Sequence, residues 1–223
     1  MSKSRLYPQY NLPIYLNTER VRALVVGGGA VGRRKAILLL TSGASVRVVA
    51  LEPRPADFDH ERLEWCVESY KADHLRDINL VFTAAGPAVG EAVEADARDR
   101  GIWVCRADDV FCGDFVTPTV LGVGRFLKIA ISTGGASPAI AARIRDGLAA
   151  EFDDSFGAWV DLLAFERLQA NYGIWEPPAG REEYLKQISD WSWLERYRSE
   201  GRVAVMQAYR DLAGQLGLRG HIL

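Results

Sequence analysis

The sequence predicts an α/β fold: a doubly wound parallel sheet, then a small β-hairpin and helix, then a helical C-terminal domain. Three observations carry that expectation. The first hundred residues alternate short β-branched runs with helical segments, the order that a parallel sheet with crossover helices requires. The short runs are apolar almost throughout, as strands covered on both faces are. The first of them opens residues 22–35, RALVVGGGAVGRRK, and runs straight into Gly27-x-Gly29-x-x-Gly32 and a helix.

Strands are expected at Ala23–Val26, Val46–Ala50, Leu63–Val67, Leu80–Ala84 and Ile102–Cys105. Helices are expected at Val31–Leu40, closed by Ser42 and Gly43, and at Val89–Arg100, closed by Gly101. The character changes at Phe115. Val120–Val123 and Phe126–Ser132 flank Gly124 and Arg125 with hairpin alternation. Ser137 and Pro138 then read as N-cap and first helical residue of AIAARIRDGLAAEF. Further helices are expected near Ser155–Tyr172, Arg181–Ile188 and Trp191–Leu216, with a loop at Gly173–Gly180. Trp159, Trp175, Trp191 and Trp193 enrich this half in large apolar side chains; core packing explains most of them, with an interface or flat ligand surface as the alternative.

The glycine pattern has a chemical reading because it follows a strand and opens a helix. Glycine lets a phosphate approach the backbone, and the helix start presents unpaired N–H groups and the positive end of its dipole. This is the context of a Rossmann-like dinucleotide-binding turn, and Gly27, Gly29 and Gly32 are the expected cofactor contacts. An acidic residue about twenty positions on takes the adenosine ribose in such sites, which points to Glu52, beside Leu51. A solvent-exposed loop carboxylate is the plain alternative. NAD is the expected cofactor, while Arg47 and Arg54 lie near enough to leave NADP open. Arg33, Arg34 and Lys35 oppose the dipole of their helix at a few tenths of a kcal/mol each, so local stability does not explain them and an anionic ligand would.

Composition excludes several classes of function. A net charge of −2 gives no reason to expect nucleic acid, and no apolar run approaches the ~20 residues that span a bilayer. The N-terminal residues MSKSRLYPQYNLPIYL lack a secretory leader, so a cytoplasmic location is expected. Cys66, Cys105 and Cys112 are odd in number and lack zinc spacing, and His60, His74 and His221 are scattered; no metal site is expected. Two further segments are candidates for chemistry. Arg106-Ala107-Asp108-Asp109 follows the fifth strand, with Asp114 beyond it, and a carboxylate there can take a proton while a nicotinamide takes hydride. An aspartate-rich turn is the alternative. Residues 133–138, TGGASP, can expose successive N–H groups to an anion or simply turn and cap a helix.

Taken in order, these segments resemble the precorrin-2 dehydrogenase/sirohydrochlorin ferrochelatase family, which includes the N-terminal module of siroheme synthase. The likeness runs from YPQYNLPIYL at residue 7 through VVGGGAVGRRKAILLLTSGASVRVVA, Cys105–Asp108 and Phe115–Pro118 to ISTGGASPAIAARIRDGL. It implies NAD-dependent oxidation of precorrin-2 to sirohydrochlorin, with Fe²⁺ insertion to siroheme in some members. It implies Asp108 as general base, since that residue occupies the aspartate of the family's Asn-x-x-Asp pattern, and it implies cofactor contacts at Ala30, Val31, Leu51 and Glu52. It places Ser132, Thr133 and Gly134 near the tetrapyrrole, whose acidic arms Arg33, Arg34, Arg106, Arg125, Lys128 and Arg143 are candidates to hold. It also implies a homodimer and a division into a Rossmann domain (1–113), a dimerisation region (114–150) and a helical domain (151–223). Two positions depart from the pattern: Cys105 stands for the asparagine, and Ala84-Ala85-Gly86 for Ala-Ala-Thr. At 223 residues the sequence has no room for the methyltransferase module of fused synthases, so uroporphyrinogen methylation is expected from another protein. Two alternatives remain: a dehydrogenase without chelatase activity, and an NAD-sensing regulatory domain of a potassium-transport system.

Overall fold

The computed structural model describes residues 12–109, 112–172, 175–176 and 179–220. They form two compact units, one comprising residues up to Thr117 with Gly134–Ala136, the other Pro118–Thr133 with Ser137 onward.

The first unit is built on five parallel strands: β1 (Arg22–Val26), β2 (Ser45–Ala50), β3 (Leu63–Val67), β4 (Leu80–Thr83) and β5 (Trp103–Arg106). Their order is β3-β2-β1-β4-β5, so the chain reverses its direction of travel across the sheet between β1 and β4. Alternate residues of β1 explain why the sheet is covered twice. Ala23 and Val25 join Ala36, Leu39 and Leu40 of α1 (Ala30–Thr41) on one face. Leu24 and Val26 join Val93 and Ala97 of α2 (Pro87–Arg98), with Leu75 of a 3₁₀ turn, on the other. Strands buried on both faces need no polar alternation, which is why the sequence runs are uniformly apolar. At the end of α1, Gly43 at φ +95° lets Ala44 N–H reach back to Leu39 O at 3.0 Å, the closure expected of Ser42 and Gly43. No helix joins β2 to β3; Phe58 of that loop packs edge-on against Trp65.

The second unit begins with the antiparallel pair β6 (Thr119–Val123) and β7 (Leu127–Ile131), as expected of the hairpin. Helices α3 (Pro138–Glu151), α4 (Asp154–Asn171), α5 (Arg181–Gln187) and α6 (Ser192–Gln215) follow. Ser137 caps α3 by accepting from Ile140 N–H at 3.2 Å, and Asp153 caps α4 by accepting from Phe156 N–H at 2.8 Å. The hairpin turn seats on α4, where a Cβ on Gly124 would lie 2.8 Å from Gly157 O. Tyr184, Tyr209, Leu162 and Val205 form the helical core, and Trp159 Nε1 donates to Tyr209 Oη at 3.0 Å. Trp159 is thus a core residue, whereas Trp191 is exposed. Two features differ from expectation. The long helix is interrupted at Gly201, whose φ of 82° and ψ of 173° are not helical. Within the loop expected at Gly173–Gly180, Trp175–Glu176 pairs as β8 with β9 (Arg219–Gly220); residues 173–174 and 177–178 lie outside the described residues, as do the opening YPQYN of the family likeness and His221.

Candidate functional site

The carboxyl ends of β1 and β4 frame the crevice where an open α/β sheet binds its ligand. The glycines at that edge answer three different constraints. Gly27, at φ +112°, closes on β4: a Cβ there would stand 2.5 Å from Ala84 O. Gly32 packs α1 onto the turn, where a Cβ would fall 1.9 Å from Gly27 O. Gly29, the N-cap of α1, has nothing within 4 Å of its Cβ position and no side chain caps the helix start. The first helical bond is Arg33 N–H to Gly29 O at 3.0 Å, which leaves the preceding N–H groups of Ala30, Val31 and Gly32 for an anion. Ala30 and Val31 are exposed at this edge. These features fit the pyrophosphate of a dinucleotide.

Leu51 and Glu52 follow β2 and are both exposed. Trp65 Nε1 donates to Glu52 O at 3.1 Å, and the Glu52 carboxylate lies 3.4 Å from the Cβ position of Gly28, so the acid is held alongside the glycine turn. Arg47 donates to Glu64 at 2.8 Å, and Arg54 pairs with Asp59. Among the described residues no ion pair engages Arg33, Arg34 or Lys35. Lys35 instead donates to Thr117 Oγ1 and stands 5.9 Å from the centre of the Phe82 ring.

At the end of β5 the candidate base sits in a polar cluster. Arg106 Nε donates to Asp108 Oδ1 at 2.8 Å and Nη2 to Oδ2 at 2.6 Å, a two-pronged pairing. Thr83, the last residue of β4, adds a hydrogen bond to Oδ1 at 3.3 Å. The third prong, Arg106 Nη1, donates to Glu94 of α2 at 2.8 Å. Glu94 also accepts from Arg98 at 2.7 Å and from Gly113 N–H at 3.1 Å. The Arg106 fork holds the Asp108 carboxyl below the ordinary aspartate value, against the opposing effect of burial. Although the Asp108 backbone is exposed, its side chain is 14% accessible and that of Arg106 only 3%. Arg106, expected among the groups holding acidic arms, therefore lies in the protein interior with its donors engaged.

Two other expectations meet the geometry here. Asp114 accepts from Val104 N–H at 2.9 Å and returns its own N–H to Val104 O at 2.7 Å, so it closes the turn after β5. Cys105 is buried in the sheet core, and burial pushes its thiol up. Asp108 is held by Thr83 and Arg106. Glu94 and Gly90 were not singled out from sequence. Their signal is a carboxylate within the buried stripe of α2, one turn after a glycine whose Cβ position lies 2.8 Å from Arg106 Nε.

Thr133 Oγ1 accepts from Ser137 N–H at 3.0 Å in the second unit, and the intervening Gly134 and Gly135, which belong to the first, have φ of 62° and 87°. Ser132 is exposed and Thr133 half-buried at the end of β7, and Arg143 is exposed on α3. Arg125 N–H donates to Asp161 at 3.0 Å. Among the described residues no three His, Cys, Asp or Glu side chains gather as a metal site, and no helix is long and apolar enough to cross a membrane.

Comparison with known proteins bears on both units. Residues 14–119 match the family described as "Putative NAD(P)-binding". Residues 127–151 match the family described as "Sirohaem biosynthesis protein central". The chain is similar over these segments to siroheme synthases. Siroheme synthase of Chromobacterium violaceum is 38% identical over 149 residues, covering 65% of this chain and 32% of the relative. Siroheme synthase of Nitrosomonas europaea is 33% identical over 209 residues, covering 92% and 42%. The chain thus spans between about a third and two-fifths of the length of these relatives. Among solved structures, SirC, precorrin-2 dehydrogenase, superposes with a TM-score of 0.71 at 22% identity over 90% of this chain and 99% of that one. The doubly wound sheet, hairpin and C-terminal helices are therefore a shared fold, and the first unit holds most of the stretch that matches the NAD(P)-binding description.

Proposed function

We propose that the protein oxidises precorrin-2 to sirohydrochlorin with NAD, a step in siroheme formation. The observation that carries this reading is the fixed, ionised Asp108 carboxylate at the end of β5, two strands from the open Gly29 turn on the same sheet edge. The cofactor's contribution is to accept a hydride from the substrate. The backbone N–H groups opening α1 hold its pyrophosphate, with Gly27, Gly29, Ala30, Val31 and Gly32 around them and Leu51 and Glu52 at the ribose. Glu52 repels a 2′-phosphate, and Arg47 and Arg54 already serve carboxylates, which favours NAD over NADP. Asp108 accepts the proton that the oxidised substrate sheds, and passes it to solvent. The family likeness assigns Ser132, Thr133, Gly134 and Arg143 to the tetrapyrrole; in the first unit, Arg33 and Arg34 have no ion pair among the described residues and are suited to carboxylates.

Dehydrogenation without metal insertion is the favoured variant. Asp108 and Glu94 carry two negative charges that Arg106 and Arg98 balance, so Fe²⁺ as a substrate gains no net attraction at this cluster. The protein acts as a cytoplasmic homodimer in which the segment 114–150 serves dimerisation. A regulatory NAD-sensing module accounts for the glycine turn but gives no work to Asp108.

The test is an anaerobic absorbance assay with precorrin-2 and NAD, followed by Fe²⁺ or Co²⁺. Sirohydrochlorin and NADH are expected in equal amounts, with no acceleration of metal insertion. Asp108→Asn is expected to bind NAD normally and lose on the order of 10²-fold or more in turnover. Tight NAD binding with no sirohydrochlorin from the wild type would leave the sensing module standing, and an active Asp108→Asn variant would move the base elsewhere.

A further inference from the structure

Arg106 is buried, carries three directed hydrogen bonds and reaches no solvent-facing ligand, so the reaction described above gives it no direct part. A buried guanidinium is costly to desolvate and persists when its donors are matched. Here the match is two-sided: the Nε/Nη2 edge grips Asp108, and Nη1 is anchored on Glu94. Glu94 is itself immobilised by Arg98 and by the backbone of Gly113. The seat is shaped as well as charged. Gly90 of α2 lies flat against the guanidinium, with its Cβ position 2.9 Å from Arg106 Cζ, so any larger residue would displace the fork.

We propose that Arg106, anchored by Glu94 and seated on Gly90, is a positioning residue that fixes the orientation and ionisation of Asp108. This deepens the functional reading above and rests on it. The fork leaves the carboxylate one attitude. Oδ1 accepts from both Arg106 Nε and Thr83 Oγ1, and Oδ2 from Arg106 Nη2, so both oxygens are held. Every neighbouring element contributes charge to this setting: Glu94 and Arg98 from α2, Arg106 from β5, and Asp109 and Asp114 from the turn that follows. On the other face of the sheet, Lys35 of α1 lies by Phe82. Of these, Arg106 alone grips Asp108 with two donors. The arrangement gives up basicity for a carboxylate that stays charged and aligned, useful where a proton leaves an already electron-poor, oxidised substrate.

The experiment compares Arg106→Met, Arg106→Lys and the double variant Arg106→Met with Glu94→Gln. The double variant covers the case in which a lone buried Glu94 prevents folding. NAD affinity, the pH profile of kcat/KM for precorrin-2 oxidation, and the Asp108 carboxyl titration by ¹³C NMR are read for each. Arg106→Met and the double variant are expected to bind NAD as the wild type does. Their rates should fall on the order of 10- to 100-fold, and the acid limb of the profile and the Asp108 titration should both move to higher pH. Arg106→Lys, a point charge without the fork, should return the acid limb toward wild type while the rate stays low. A wild-type acid limb and rate in both methionine variants would overturn the proposal, as would full recovery of rate by lysine. If the wild type makes no sirohydrochlorin, the functional reading fails separately, and an unmoved Asp108 titration in the methionine variants would still overturn the role of Arg106.

Discussion

Gly27, Gly29 and Gly32 look equivalent in the sequence, but the space around them makes three different residues. A methyl group at position 32 would overlap Gly27 O, since its Cβ would lie 1.9 Å away, whereas one at position 29 meets no protein atom. Gly32→Ala is therefore expected to cost about 1–3 kcal/mol through overpacking, seen as a lower Tm. Gly29→Ala is expected to melt as the wild type and to weaken NAD binding by obstructing the anion's approach. Equal Tm losses in the two variants, by calorimetry, would contradict this division. The spacing alone marked all three, because the pattern is set by backbone chemistry. Glu94 was not legible in the same way. Its role depends on Arg106, twelve residues on, entering the same buried space, and nothing local to α2 announces that meeting. The place after the fifth strand marked the segment Arg106–Asp109, and the family likeness singled out Asp108 within it; that Arg106, two residues earlier, would pair with it was not legible, because a basic residue at a crevice rim reads equally well as a substrate contact.

At the scale of elements, the strands and the first two helices sit within one or two residues of their expected ends. Ser42-Gly43 and Ser137-Pro138 mark helix ends by backbone chemistry that tertiary context seldom overrides, while α2 begins at Pro87, two residues before the expected Val89. The interruption of α6 was hidden for the opposite reason: Gly201 lies within strongly helical flanks, and a single glycine is tolerated in many helices. The pairing of β8 with β9 joins segments over forty residues apart, too remote for local pattern to reveal. Helix α4 offers a test by pH. Asp153 accepts from Ser155 Oγ, Phe156 N–H and Arg198, which push its carboxyl down to about 2. Because the folded value lies below the ordinary 3.8, the stabilisation is complete above the unfolded value and fades as pH falls toward about 2. Urea unfolding of wild type and Asp153→Ala should show a gap at pH 6 that closes across that interval. A gap unchanged at pH 2 would remove the charged cap as its cause.

For the whole molecule, the second unit shows one face with little cover. Of the fourteen residues of α3 only Ala141 is buried, while Ile140 and Ile144 are 46% and 43% exposed. Isolated exposed apolar side chains are ordinary, but two on one helix face within the segment proposed for dimerisation are suited to a second copy of the chain. Ile144→Glu is expected to shift the protein from dimer to monomer by light scattering while leaving its helical circular dichroism intact. A wild-type monomer at the same concentration would refute the homodimer directly.

The flat seat beneath the Arg106 guanidinium carries a consequence for descent. A Cβ at position 90 would stand 2.8 Å from Arg106 Nε, so a side chain there requires the guanidinium to shift, and the two positions are coupled. A lineage that acquires a side chain at position 90 gives up the present grip on Asp108 or the arginine itself. Across relatives the two columns should covary: glycine wherever the arginine is present, and tolerance of larger residues only where it has been replaced.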